Sequence, residues 1–282
     1  MKTEWNYHAL WRQLVPLYDA REAQALVRAL LQDGHGLSMA DVLTDGVERL
    51  PQERKERLVA QMEQLYQAVP VQQVLGFAWF CNRRFAVSPD VLTPRPETEE
   101  LCRWILQGGE EKDVVALLDV GTGSGCIACT LAAEQPEARV TGWDVSAVAL
   151  EIARENAKRT NVHVSFEQVD VLRRCRSIGD KWDFIVSNPP YVCKREKAAM
   201  ERNVLDYEPH LALFVPDDDP LLFYRAIAAY GQEALKPGGW LYFELNPLYA
   251  SDVQRLLSMM LYHNIETKED QFGKQRMIRA KR

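Results

Sequence analysis

The chain has 282 residues, 47% hydrophobic and 26% charged, with a formal net charge of −6. That length and apolar content suit one large or two modest globular domains. No apolar run approaches the roughly 18 residues of a membrane-spanning helix, and the acidic balance argues against gripping duplex nucleic acid across many phosphates.

The start, Met1-Lys2-Thr3-Glu4-Trp5-Asn6-Tyr7-His8, lacks the apolar core of a secretion signal. Six scattered cysteines (Cys81, Cys102, Cys126, Cys129, Cys175 and Cys193) then indicate reduced thiols and a cytoplasmic protein. Cys126 and Cys129 have C-x-x-C spacing, but no second pair or histidine partner, so the cysteines read as small buried hydrophobes and no metal is expected.

Residues 1–70 carry helical periodicity: Leu10, Leu14 and Leu17; Ala25, Leu26, Ala29 and Leu30; Leu58, Met62, Leu65 and Tyr66. Gly34-His35-Gly36 and Leu50-Pro51 punctuate it, predicting a small helical bundle. His8 and His35 have no ligand-spaced partners and read as surface residues. Residues 71–93 form a linker in which alternation from Val71 to Val87, with Asn82-Arg83 between the arms, predicts a β-hairpin. Residues 94–282 form an α/β domain with strands near 115–120, 138–143, 162–168, 182–187, 239–245, 263–268 and 275–280. Gln271-Phe272-Gly273-Lys274 is a hairpin-like turn between the last two. The basic clusters at 173–176 and Lys194-Arg195-Glu196-Lys197 read as solvated loops, with guidance of an RNA-associated partner as the alternative.

The chemistry lies where strands end. Ala116-Leu117-Leu118-Asp119-Val120 runs into Gly121-Thr122-Gly123-Ser124-Gly125 and then an apolar helix from Cys126 to Ala133, the first unit of a nucleotide-type α/β domain. Glycines let backbone N–H groups approach a ligand, and the helix start adds a favourable partial charge. Cys126 replaces the third glycine of a dinucleotide loop, and the Lys-Ser/Thr of a phosphate loop is missing. Asp119 opening the loop argues against phosphate and for a ligand with positive charge and hydroxyls, which S-adenosylmethionine fits. The second strand ends in Asp144, 25 positions beyond Asp119, placed to accept ribose hydroxyls. The third ends in Asp170, placed to face the adenine amino group, with Val171 beside it.

The apolar run Trp182–Ser187 stops at Asn188-Pro189-Pro190-Tyr191. Proline cannot donate to a sheet ladder, so the chain leaves the sheet and presents an Asn side chain, free carbonyls and an aromatic face. These groups suit a planar amide or amino group. Asn188 and the Pro189 carbonyl would accept its N–H bonds, beside Pro190, and Tyr191 would stack on its plane, positioning the nitrogen for an in-line displacement. No general base is assigned, because the proton can leave after transfer.

These motifs resemble class I S-adenosylmethionine-dependent methyltransferases. More narrowly, the chain is similar to the bacterial release-factor glutamine N5-methyltransferases, a resemblance that covers roughly Pro70 to Ala280 and includes Phe85–Glu99 with its Arg95-Pro96-Glu97-Thr98-Glu99 run, Tyr207-Glu208-Pro209, Tyr224-Arg225-Ala226-Ile227 and Leu235-Lys236-Pro237-Gly238-Gly239. Two departures are Glu244-Leu245-Asn246-Pro247 after the fifth strand and Val171-Leu172 after the third. The resemblance implies a seven-stranded Rossmann-like sheet with an antiparallel last strand. It implies methyl transfer to the glutamine of the Gly-Gly-Gln motif in class 1 release factors, with the helical domain helping to recognise that protein. Gly121, Thr122, Gly123, Ser124 and Gly125 would shape the methionine pocket, and Asp119 would orient the loop or attract the ammonium. Arg95 and Glu97 would order the pocket from the linker, or pair only with each other. A monomer without direct DNA or membrane contact is expected. The rival readings are an N6-adenine DNA or RNA methyltransferase, a ribosomal-protein glutamine methyltransferase, and a non-catalytic module retaining the fold.

Overall fold

The computed structural model describes residues 5–108, 115–173 and 182–282. Positions 174–176 of the first basic cluster, Cys175 included, and residues 1–4 lie outside them. The chain divides into two compact units, 1–77 with 201–207, and 78–200 with 208–282.

The first unit contains helices α1 (Tyr7–Leu14), α2 (Ala20–Ala29), α3 (Met39–Leu43), α4 (Gln52–Tyr66) and α5 (Val71–Leu75). Side-chain caps from Asn6, Asp19 and Ser38 start the first three. Leu10, Leu14, Val27, Leu30, Leu58 and Leu65 are buried together; the periodicity named all of these but Val27, whereas Leu17, Ala25 and Tyr66, which it also named, are exposed. Segment 201–207 belongs to this unit, where Tyr207 Oη donates to the Gln67 carbonyl at 2.8 Å. Two readings need correction. His35 is buried, with Nε2 2.9 Å from Gln61 Oε1 of α4, because the helical turn after α2 folds it inward. Val71–Leu75 is helical, so the hairpin is shorter than its alternation suggested.

That hairpin joins β1 (Phe77–Phe80) to β2 (Arg83–Ala86). Cys81 and Asn82, both with positive φ, make the turn, one position earlier than Asn82-Arg83. Paired left-handed residues match the twist of a two-residue hairpin, and the Cys81 amide donates to Glu99 Oε1 at 2.9 Å.

In the second unit, α6 (Pro96–Gln107) opens on a proline whose missing N–H costs nothing there. It leads to β3 (Ala116–Val120), α7 (Cys126–Glu134), β4 (Arg139–Asp144), α8 (Ala147–Arg159), β5 (Ser165–Gln168) and β6 (Trp182–Ser187). After a stretch of short elements that includes a two-residue parallel strand pair (Val192–Cys193 with Phe214–Val215) come α9 (Leu222–Ala234), β7 (Leu235–Glu244), α10 (Ala250–Met259), β8 (His263–Glu269) and β9 (Gln275–Lys281). The seven-stranded sheet has order β8-β9-β7-β6-β3-β4-β5, with β9 antiparallel to both neighbours and the other pairs parallel. Every residue of β3 is buried, as expected of a central parallel strand covered on both faces. One core lies under α6 and α7, the other under α9 and α10. Cys126 and Cys129 are buried in the first, and burial pushes the Cys129 thiol up to about 12. The order reverses between β3 and β6, the topological switch point where ligands of open α/β sheets bind.

Candidate active site

The carboxyl ends of β3, β4, β5 and β6 meet at that switch point beside a cavity of about 300 Å³. Ser187 Oγ donates to the Val120 carbonyl at 2.6 Å and staples the ends of β6 and β3 together. Gly121 and Thr122 amides both donate to the Trp143 carbonyl at 2.8 Å, so the glycine loop bends over β4. Gly121 and Gly123 line the cavity with φ of 73° and 54°, and a Cβ on either would meet nothing within 4 Å. Gly125 has another role: at φ 78° its added Cβ would lie 3.0 Å from the Ala153 Cβ, so it lets α7 approach α8.

Asp144, Asp170 and Val171 line the same cavity, with Asn188, Pro189 and Pro190. Asp144 Oδ2 accepts from the Gly123 amide and Oδ1 from the Ser146 amide, both at 2.9 Å. Each oxygen keeps a second lone pair. Burial raises the Asp144 pKa against the pull of these amides. Asp170 Oδ1 accepts from the Leu172 amide at 3.0 Å, and Oδ2 lies 3.2 Å from Arg173 Nε.

Other expected site residues stand behind this wall. Asp119 is fully buried, and its Oδ2 accepts from Thr122 Oγ1 at 2.6 Å and the Ala128 amide at 3.2 Å. Burial pushes its carboxyl up to about 7. It therefore braces the loop from below. Thr122, Ser124 and Gly125 are not among the residues lining the cavity. The Ser124 carbonyl accepts from Asn156 Nδ2 at 2.8 Å; Asn156 also exchanges hydrogen bonds with Ala86, tying loop to hairpin. Arg95 Nη2 donates to both oxygens of Glu208, at 2.8 and 2.7 Å, rather than pairing with Glu97. Neither Arg95 nor Glu97 lines the cavity, but Glu208 precedes Pro209, which does.

Tyr191 also sits apart from the wall. Its ring packs against the second core and its Oη donates to Glu244 Oε1 at 2.9 Å. Burial, and then the Glu244 charge, raise its pKa well above the ordinary range. Glu244 Oε2 accepts from Thr98 Oγ1 at 2.6 Å, and Thr98 Oγ1 lies 3.3 Å from Asn188 Nδ2. Asn246 Nδ2 donates to the Tyr191 carbonyl at 3.1 Å, so the departure after the fifth strand is wired to the Asn-Pro-Pro-Tyr turn. Sequence reasoning missed the contributions of Thr98, Asn156, Glu208 and Glu244. Two signals were present: Thr98 sits inside the Arg95–Glu99 run, and Glu244 is another acid ending a strand.

The methyltransferase small domain family matches residues 104–210. A release factor glutamine methyltransferase of Bacteroides thetaiotaomicron is 44% identical over 271 residues, 96% of this chain and 97% of its own length. One from Flavobacterium psychrophilum is 37% identical over 279 residues, 98% of each. The crystal structure of a methyltransferase from Pyrococcus furiosus shares the fold at TM-score 0.51 and 16% identity, covering 82% of this chain and 98% of that one.

Proposed function

The chain belongs to the release factor glutamine methyltransferase family, and on that premise we propose that it transfers a methyl group from S-adenosylmethionine to N5 of the glutamine in the Gly-Gly-Gln motif of class 1 peptide chain release factors. The observation that carries this reading is the shared cavity: the Asn188-Pro189-Pro190 edge and the acid-and-glycine edge face one space of about 300 Å³.

The residues fit the cofactor. Gly121 and Gly123 leave open space where side chains would intrude. Asp144 keeps a free lone pair on each oxygen for a ribose diol, and Asp170 and Val171 lie along the same wall for the adenine. Bound there, S-adenosylmethionine supplies an electrophilic methyl on a sulfonium.

The chain's own task is to hold a poor nucleophile in place. The nitrogen of a glutamine amide shares its lone pair with the carbonyl. Asn188 Oδ1 accepts one N–H of that nitrogen and the Pro189 carbonyl the other, which fixes the nitrogen and meets the positive charge that develops on it. Tyr191, tied to Glu244, sets the path of the turn rather than stacking on the substrate. The helical unit at residues 1–70 serves recognition of the release factor, residues 71–93 link it to the catalytic domain and lend Pro89–Leu92 to the cavity lining, and residues 94–282 carry the chemistry. Among the described residues no helix is long and apolar enough to cross a membrane. The acidic net charge of −6 supports action on a protein rather than along nucleic-acid phosphates, and the reading includes a cytoplasmic monomer without direct DNA contact.

Asn188→Ala tests the assignment. Methyl transfer to a release factor is expected to fall at least about 100-fold, in the range seen when one charge-stabilising contact is removed, while cofactor affinity, read by calorimetry, falls less, Asn188 also lining the cofactor's cavity. Wild-type turnover by this variant would remove Asn188 from the mechanism.

A further inference from the structure

The Asn188 amide has two nearly isosteric ends of opposite chemistry: Oδ1 only accepts and Nδ2 only donates. A half-turn about Cβ–Cγ would exchange them and face a donor toward the substrate N–H. Something must therefore choose the orientation. We propose that Thr98 and Glu244 are positioning residues that lock the Asn188 amide with Oδ1 toward the cavity, setting the site for N–H-bearing substrates. This rests on the reading of Asn188 as acceptor for the substrate amide.

The lock follows from donor counting. A carboxylate only accepts. Both oxygens of Glu244 are taken by hydroxyl donors, Thr98 at 2.6 Å and Tyr191 at 2.9 Å. The single hydroxyl proton of Thr98 is thereby committed to Glu244. Toward Asn188 it can offer only lone pairs, so the group facing it at 3.3 Å is Nδ2. Reversing the amide would set Oδ1 against those lone pairs. Thr98 and Glu244 are each only 2% exposed, so no water relieves that clash, and a mismatched polar pair is costly in such surroundings.

The frame is rigid as well as directional. Thr98 lies in the first turn of α6, its amide donating to the Arg95 carbonyl. Glu244 is the last residue of β7, and β7 pairs with β6 through Ser187 and Phe243, next to Asn188. Burial raises the pKa of Glu244, while the Thr98 and Tyr191 hydroxyls and the nearby Arg276 act to keep it charged. Thr98 and Asn188 stand between Glu244 and the cavity, so its role is to orient the amide.

The test compares kcat, release-factor KM and cofactor affinity in Thr98→Val, Thr98→Ser, Glu244→Gln and Asn188→Ala. Thr98→Val keeps the shape and removes the acceptor, and its kcat is expected to drop roughly tenfold or more, as when a buried group loses its partner. Cofactor affinity and KM are expected to hold within about twofold, the pattern of an interaction used in the transition state. Thr98→Ser, which keeps the hydroxyl, recovers most of the loss. Glu244→Gln leaves a single acceptor oxygen for the Thr98 and Tyr191 hydroxyls, which loosens the hold on the Thr98 proton and is expected to lower kcat in the same direction. Wild-type kcat in Thr98→Val beside an inactive Asn188→Ala would overturn the lock and leave the methyltransferase reading intact. Wild-type kcat in Asn188→Ala would remove Asn188 from the mechanism, and the lock with it, while the methyl transfer itself stands. Should Thr98→Val fail to fold, wild-type kcat in folded Thr98→Ala, which also lacks the hydroxyl, overturns the lock equally.

Discussion

Asp119 shows what one buried carboxyl does to the pH response of this fold. It is fully buried, and its pKa is lifted from 3.8 to about 7, chiefly by loss of hydration. The folded value exceeds the unfolded one, so its contribution is complete below about 4, where both states hold the proton, and is lost as pH rises toward about 7. The sign follows because the unfolded chain ionises Asp119 across that window while the folded chain does not. Asp119→Asn is therefore expected to flatten this part of the stability profile, read by urea denaturation at a series of pH values. An unchanged slope between wild type and variant would contradict it. Residue identity was legible here but its role was only half so. An acid opening a glycine loop could brace the loop or face the ligand, and burial, which the sequence does not state, puts Asp119 beneath the loop. Burial likewise separates Tyr191 from the role that its aromatic face suggested.

Among elements, α8 joins the loop to the hairpin through one side chain. Asn156 is fully buried on the same helix face as Ala149, Leu150, Ala153 and Ala157. It donates to the Ser124 and Ala86 carbonyls and accepts from the Ala86 amide. Asn156→Ala would leave these backbone groups unpaired and is expected to cost roughly 2–4 kcal/mol in chemical denaturation, about one to two desolvated groups. A change below about 0.5 kcal/mol, the scale of a neutral surface substitution, would refute the joint. The signal was visible as a polar residue on an apolar stripe, but nothing local names its partners. Central strands were read nearly to the residue, because β3 and β6 are apolar runs cut by glycine or proline. The edge strand β5 was not: Val162–Val164 continue its apolar alternation, yet β5 is confined to Ser165–Gln168, whereas the other edge strand, β8, lies within a residue of its expected bounds. β7 begins at Leu235, earlier than the expected 239, and runs through Pro237 and Gly238. Val71–Leu75 falls within the expected hairpin, but its apolar residues Val71, Val74 and Leu75 stand at i, i+3 and i+4, and it forms a short helix.

Across the whole molecule, the sheet order and its single antiparallel strand match the seven-stranded arrangement implied by the resemblance. The parts of the cavity wall that sit at strand ends, Gly121, Gly123, Asp144, Asp170 and Asn188, were legible because sequence pattern and topology agree there, whereas Pro89–Leu92 and Pro209, Leu211 and Ala212 were not. The layer behind the wall was not, because Thr98 and Glu244 come from α6 and the end of β7 and meet each other and Asn188 only in the fold. The rim residues Leu92, Leu211 and Phe223 are similarly drawn from three separate segments. The account as a whole turns on where the methyl group goes. The most direct measurement is transfer of labelled methyl from S-adenosylmethionine to a purified class 1 release factor, beside a factor with the Gly-Gly-Gln glutamine replaced and a DNA control. Label on the intact factor, with none on the glutamine variant or on DNA, is the predicted result; label on DNA, or equal label on the glutamine variant, would contradict it.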